Sequence, residues 1–384
     1  MKDETKAIIA GREPKKFDGA VNTPVYHAST ILYPSLAAIR GTEPIPYTYG
    51  RRGTPTTRAL ETAMNELEHA EGTVLTPSGS SAVSTAIMSA VKSGDHLLMV
   101  DTAYQPTRKF CDALLSDFGV ETQYYDPLIG SDIAKLIRDN TALIFMESPG
   151  SQTFDMQDVP AIVAAAKARG VLTAIDNTWA TPLFFKPLLH GVDMSIQAAT
   201  KYIVGHADAL LGTVAANAAH YPKLKRTHGL IGLCAAPDDV YLALRGLRTM
   251  PTRLKQHQES ALSMAQWLDG LPFVRRVLYP ALPGAQGHDI WQRDMSGAAG
   301  LFSVELDPCS EAQLAAMLDN MTLFGMGYSW GGFESLIVPC EIVRTAAPFE
   351  TGGQMLRLNI GLEHIDDLKE DLMAGFIRAG YADK

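Results

Sequence analysis

The chain has 384 residues, 46% of them apolar and 20% charged, which is enough for two domains and a large core. Its net charge of −9 argues against nucleic acid or an anionic membrane as a partner, and no apolar run approaches the ~20 residues of a membrane span. Cys111, Cys234, Cys309 and Cys340 are scattered with no C-x-x-C spacing, which argues against a disulfide framework or a structural zinc site and suits a reducing, cytoplasmic setting. The N-terminal stretch MKDETKAIIAGREPKK is charged and lacks the apolar centre of a signal peptide.

Residues 1–51 are punctuated by Pro14, Pro24, Pro34, Pro44 and Pro46 and show little periodicity, so they read as an extended arm. Helical patterning follows in ALETAMNELEHAEG, with Thr56 or Thr57 as the expected cap. From 72 to 217 apolar runs alternate with helical stretches. Strands are expected at 72–78, 96–101, 121–126, 141–148, 172–177, 194–200 and 209–217. Helices are expected over SSAVSTAIMSAVKS, PTRKFCDALLSDFG, SDIAKLIRDN and DVPAIVAAAKARG. Such alternation implies βαβ units and a mostly parallel sheet with both faces covered. The last two strands lack a full helix between them, so part of the sheet is expected to be antiparallel. Past about 247 the texture changes: a long polar helix over TRLKQHQESALSMAQWLDG, strands at GLFSVEL, TLFGMGYS and LRLNIGL, and a final helix from about Ile365. The expected organisation is therefore an arm (1–51), a large α/β domain (52–247) and a smaller C-terminal α+β domain (248–384).

The chemistry concentrates between Ile175 and Gly212. One apolar run ends in Asp176-Asn177-Thr178 and the next in Thr200-Lys201-Tyr202. Ligands of open α/β sheets sit outside the carboxyl ends of the strands, so Asp176 and Lys201 are expected to be neighbours in space. A lysine facing a carboxylate is either a plain ion pair or the core of a pyridoxal phosphate (PLP) site, where the lysine bonds to the cofactor aldehyde and the aspartate pairs with the ring nitrogen.

Other parts of such a site can be found. Pro77-Ser78-Gly79-Ser80-Ser81 follows a strand and opens a helix. It is either a serine-rich cap or a phosphate cradle built on free N–H groups. Tyr104, just past the 96–101 strand, either packs there or lies on a flat heteroaromatic ring. Arg357 alternates with leucines in MLRLNIG and either faces solvent or binds a carboxylate. No G-x-G-x-x-G or G-x-x-x-x-G-K-[ST] occurs. Gly327-Tyr328-Ser329-Trp330-Gly331 matches the G-x-S-x-G of serine hydrolases, but that motif needs a following helix, and GFESLIVP has no helical stripe.

These stretches together resemble the Cys/Met-metabolism family of PLP-dependent enzymes. The resemblance is carried by YTYGRRGTPTTRALETAMNELE, TPSGSSAV, DTAYQPTRKFC, MESPGS, IDNTWATPLFFKPL, SIQAATKYIVGHADALLGTV, YSWGGFESL and LRLNIGLE, and is strongest toward its cystathionine β-lyase branch. It implies a PLP-dependent transferase (aspartate aminotransferase-like) fold, with a mostly parallel seven-stranded sheet and a smaller C-terminal domain. It also implies a small thioether amino acid as substrate.

By the resemblance Lys201 carries the cofactor and moves protons, Asp176 pairs with the ring nitrogen, and Tyr104 stacks on the ring and takes part in catalysis. Gly79, Ser80 and Thr200 bind the phosphate, with Tyr49 and Arg51 reaching it from a neighbouring subunit. Arg357, Ser329, Trp330 and Tyr49 hold the substrate. The implied assembly is a homo-oligomer, a tetramer built as a dimer of dimers. Two positions bear on detail: Ala198 stands where many members have serine, and Tyr328 where γ-specific members often have glutamate. Cleavage at Cβ, giving homocysteine, pyruvate and ammonia from cystathionine, is the implied reaction. Cystathionine γ-lyase, γ-synthase and methionine γ-lyase chemistry are the alternatives.

Overall fold

In a computed structural model, residues 1–383 are described. Among the described residues, eleven strands form two sheets. The larger sheet contains β1 (Gly72–Thr76), β2 (His96–Val100), β3 (Glu121–Tyr125), β4 (Thr141–Glu147), β5 (Leu172–Asp176), β6 (Met194–Gln197) and β7 (Gly212–Ala216), in the order β1-β7-β6-β5-β4-β2-β3. All seven coincide with the expected apolar runs. β7 runs antiparallel to both β1 and β6, while β6-β5-β4-β2-β3 pair in parallel. The antiparallel component is the one foreseen from the missing helix before β7. Every residue of β1, β2, β6 and β7 is buried. Alternate side chains point to opposite faces, so burial of all of them means both faces are covered.

The helices that orient the site have local causes. Helix α1 (Pro55–Glu68) is capped by Thr54, not by Thr56 or Thr57. Pro55 takes the first helical position, where its missing N–H costs nothing, and this places Thr57 where it closes a capping box with Thr54. Helix α2 (Gly79–Ala90) starts directly after β1, with Ser78 and Ser81 forming a second reciprocal box. Helix α3 (Val159–Ala168) is capped by Asp158. The stretch SDIAKLIRDN forms only a 3-10 turn, Gly130–Lys135.

Helix α4 (Pro237–Asp269) joins the two sheets and is 33 residues long, or about 50 Å. The expected domain junction at 247–248 falls inside it. Pro251 removes one donor from its backbone ladder, and in the same stretch Arg253 donates to Gly246 O at 2.8 Å and to Tyr202 O at 2.8 Å. Gly246 is required there: a Cβ on it would lie 2.2 Å from Val204 O. The middle of α4 is thereby fixed against the loop that carries Lys201.

The smaller sheet contains β8 (Val274–Leu278), β9 (Leu301–Leu306), β10 (Leu336–Pro339) and β11 (Gln354–Asn359), ordered β10-β11-β9-β8 and antiparallel throughout. Helix α5 (Ile365–Ala379) closes the fold. TLFGMGYS, expected as a strand, is a loop whose only ladder contact is a bridge from Gly325 to Leu336. Its two glycines favour irregular backbone over a ladder. The arm is not wholly extended, since Asp3–Ile9 is helical. Among the described residues no helix is long and apolar enough to cross a membrane.

Candidate active site

The carboxyl ends of β2, β4, β5 and β6 converge on one cleft of about 610 Å³, lined by Tyr104, Glu147, Asp176, Lys201, Trp330 and Arg357 among others. Asp176 is the last residue of β5, and Lys201 lies four residues past β6. Arg357 enters from β11 of the smaller sheet, so the cleft lies where the two sheets meet.

Lys201 Nζ donates to Ser329 Oγ at 2.9 Å and stands 5.1 Å from the centre of the Trp330 ring. Burial, then the nearby Arg357 charge, lower its pKa to about 8, against the smaller opposing pull of Asp176. About one molecule in ten then carries a neutral amine at pH 7, compared with about one in 2,500 for an ordinary lysine. Asp176 Oδ1 accepts from Thr178 N at 3.0 Å and from Thr178 Oγ1 at 2.5 Å. Burial raises its pKa despite those bonds and the charge of Lys201. Arg357 is buried, and its Nη2 donates to the carbonyls of Tyr328 (3.1 Å) and Ser329 (3.3 Å). Tyr104 is 45% exposed on the cleft wall, and Tyr328 is 86% exposed.

The residues fit PLP. Asp176 is a deeply set carboxylate with no ion-pair partner within 4 Å among the described residues, which suits a cationic ring nitrogen. The N–H groups of Gly79 and Ser80, the first two of α2, donate to no acceptor among the described residues, which suits a phosphate at a helix start. A Cβ at Gly79 would lie 2.5 Å from Ala198 Cβ, so a side chain at 79 would push α2 off the cleft floor. Thr200 departs in part from its expected place: its hydroxyl already exchanges hydrogen bonds with Leu211, at 3.2 Å to the carbonyl and 3.0 Å from the N–H.

Tyr49 and Arg51 do not reach this cleft in their own chain. Arg51 sits 5.7 Å from the Tyr49 ring centre and donates to Gly229 O at 3.4 Å, beside a separate basic cavity that holds Arg52, Lys225 and His228. Ser329 is not in a nucleophile elbow. It lies in an irregular loop with bends that leads into strand β10, with no helix directly after it, and its hydroxyl meets a lysine, not a histidine. Of the titratable residues lining the cleft, Glu147 was not singled out from the sequence. Glu147 ends β4, and the only signal for it was a carboxylate closing an apolar run, as in Asp176.

Residues 4–377 match the family described as Cys/Met metabolism PLP-dependent enzyme. The chain belongs to that family and uses PLP. It is 46% identical to a cystathionine β-lyase of Escherichia coli K12, over 98% of each chain. It is also 40% identical to an L-alanine/L-glutamate racemase of Wolbachia pipientis wMel, again over 98% of each. Among solved structures, a cystathionine γ-synthase of Xanthomonas oryzae pv. oryzae, complexed with aminoacrylate and cysteine, superposes with a TM-score of 0.90. That protein is 32% identical, with 99% of each chain covered.

Proposed function

We propose that the chain is a PLP-dependent carbon–sulfur β-lyase that cleaves cystathionine, with one water, to homocysteine, pyruvate and ammonia. The observation that carries the reading is the cleft itself. A lysine amine with its pKa brought to about 8 shares it with a buried arginine and a half-buried carboxylate that has no ion-pair partner within 4 Å among the described residues.

Bound PLP supplies a cationic ring that draws electrons from the substrate Cα. Lys201 anchors it and then, as a free amine, takes the Cα proton and returns a proton to the departing sulfur. Ser329 Oγ, accepting from Nζ, fixes the direction of that amine. Asp176 would pair with the ring nitrogen, the N–H groups of Gly79 and Ser80 would receive the phosphate, and Tyr104 would cover the ring. The Thr200 hydroxyl joins the phosphate set by giving up its bond to Leu211 O. The Arg357 fork, supported by two backbone carbonyls, clamps the α-carboxylate beside Trp330. Cleavage at Cγ needs a second deprotonation at Cβ, and Tyr328 offers no carboxylate for it.

The relatives include a lyase, a synthase and a racemase, so fold alone does not choose the bond broken. Product analysis with cystathionine decides: pyruvate and homocysteine are expected, and dominant 2-oxobutyrate and cysteine would refute the β-lyase assignment.

We also infer a homo-oligomer, a dimer of dimers, working in the cytoplasm with its four thiols unpaired. Tyr49 and Arg51, outside their own chain's cleft, complete the cleft of a second copy. Hybrids refolded from Arg51→Ala and Lys201→Ala chains carry one doubly damaged and one intact site, so they regain a fraction of wild-type activity. Verified hybrids that stay inactive would count against sharing.

A further inference from the structure

Two carboxyl groups stand side by side on the cleft floor. Glu147 ends β4, Asp176 ends β5, and the strands pair with these residues opposite each other. Adjacent strands lie about 4.8 Å apart, and partners in register point to the same face. Glu147 makes no ion pair with a described residue. Its Oε2 accepts one hydrogen bond, from the backbone N–H of Tyr104 at 2.8 Å. That bond ties the turn after β2 to the end of β4. It sits at the start of the short helix Gln105–Lys109, where Tyr104 O accepts from Thr107 N at 2.9 Å.

We propose that Glu147 is a positioning residue: it fixes Tyr104 on the cleft wall and, as an uncharged acid, leaves Asp176 the single anion of the pair. Asp176 from β5 and Tyr104 from the turn after β2 act on it directly, and Lys201 from the loop after β6 and Arg357 from β11 line the same cleft. Two carboxylates this close in a low-dielectric site do not both ionise readily. Burial, then the Asp176 charge, hold the Glu147 carboxyl well above the usual range, with only the Tyr104 N–H opposing. Asp176 has two bonds from Thr178 and the charge of Lys201 on its side. The negative charge therefore settles on Asp176, where a cationic ring nitrogen needs it. A neutral Glu147 still accepts from Tyr104 through its carbonyl oxygen.

The catalytic consequence rests on the lyase reading, whereas the contact is present without cofactor, so the test uses the apoprotein first. Glu147→Gln keeps a neutral carbonyl acceptor and Glu147→Ala removes it. Hydrogen exchange at the Tyr104 amide, read by mass spectrometry, is expected to be about tenfold faster in Glu147→Ala and close to wild type in Glu147→Gln. Equal exchange in all three proteins would overturn the positioning role. Infrared spectra of the apoprotein at pH 7 are expected to contain a protonated-carboxyl C=O band that Glu147→Gln abolishes, and absence of that band would overturn the charge assignment. If Glu147→Ala fails to fold, the infrared comparison of wild type with Glu147→Gln carries the test. In the holoenzyme, Glu147→Ala is expected to lower kcat with little change in KM. A lack of lyase turnover in wild type, alongside the expected apoprotein results, would count against the lyase reading and not against the contact.

Discussion

Asp101 and Asp176 sit at the same edge of the larger sheet, one just past β2 and one at the end of β5, and their surroundings are opposites. Asp101 is saturated with donors. It accepts from Arg108 Nη1 at 2.8 Å, from Thr345 Oγ1 at 2.7 Å, and from the N–H groups of Thr345, Ala346 and Ala347 at 2.8–3.0 Å. Burial alone would raise its pKa, but those bonds, led by Ala347 N–H and Arg108, hold it below the usual carboxylate value. Asp176 has only Thr178, and its pKa is raised. Asp101 fastens the 345–347 segment, which lies between β10 and β11 of the smaller sheet, to the end of β2 in the larger one. Asp176 is left short of partners beside a lysine that is itself shifted toward neutrality. The contrast teaches that position at a strand end does not mark a chemical carboxylate; an unmet demand for positive charge does.

The contrast can be broken by mutation. The largest effect is expected from Lys201→Ala, which removes both the anchor and the proton carrier. Turnover should fall by at least about 10²–10⁴-fold, the usual worth of a positioned base, and the visible absorbance of lysine-bound cofactor should vanish. Turnover near wild type would place the chemistry elsewhere.

The shifted amine also has a pH signature. Only the neutral amine attacks the cofactor aldehyde, and the Lys201 pKa is lowered to about 8. The rate at which apoprotein loads PLP should therefore rise with pH through about 8 and then level off, followed by stopped-flow absorbance. A rate still climbing steadily toward pH 10 would mean an ordinary lysine.

The smallest effect on chemistry is expected at Asp101, where the damage should appear as stability. Asp101→Asn strands the buried Arg108 guanidinium and should cost about 3 kcal/mol in urea unfolding of the apoprotein. The native pKa is depressed, so the Asp101 contribution is complete above the unfolded value of about 3.9 and is lost as pH falls through the native value. The gap between wild type and variant should then narrow in acid. A gap unchanged down to acid unfolding would remove the charge from the explanation.

Much of this was legible in the sequence, for physical reasons. Strands β1, β2, β4, β5, β6 and β7 are wholly or largely buried, so each reads as an apolar run, while the partly exposed edge strand β3 shows through its Thr and Tyr residues, and turn residues separate them. β8 was missed because VRRVL carries two arginines on a partly exposed strand, and LIVP of β10 was passed over beside GFES. Asp176 and Lys201 announced themselves as charges closing apolar runs. Glu147 closes one too, but its meaning depends on register: only when β4 pairs with β5 does it stand next to Asp176. The Thr200–Leu211 exchange and the distance of Tyr49 and Arg51 from their own chain's cleft are facts of three-dimensional packing that no local pattern encodes.

The central claim is that Lys201 holds the cofactor in the cleft that Asp176 and Arg357 share. Borohydride reduction of the holoenzyme, followed by peptide mass mapping, tests it most directly, because reduction makes the lysine–cofactor bond permanent. The account predicts a single pyridoxyl-phosphate adduct on the peptide containing Thr200-Lys201-Tyr202. An adduct on a different lysine, or none in protein that retains visible absorbance, would contradict it.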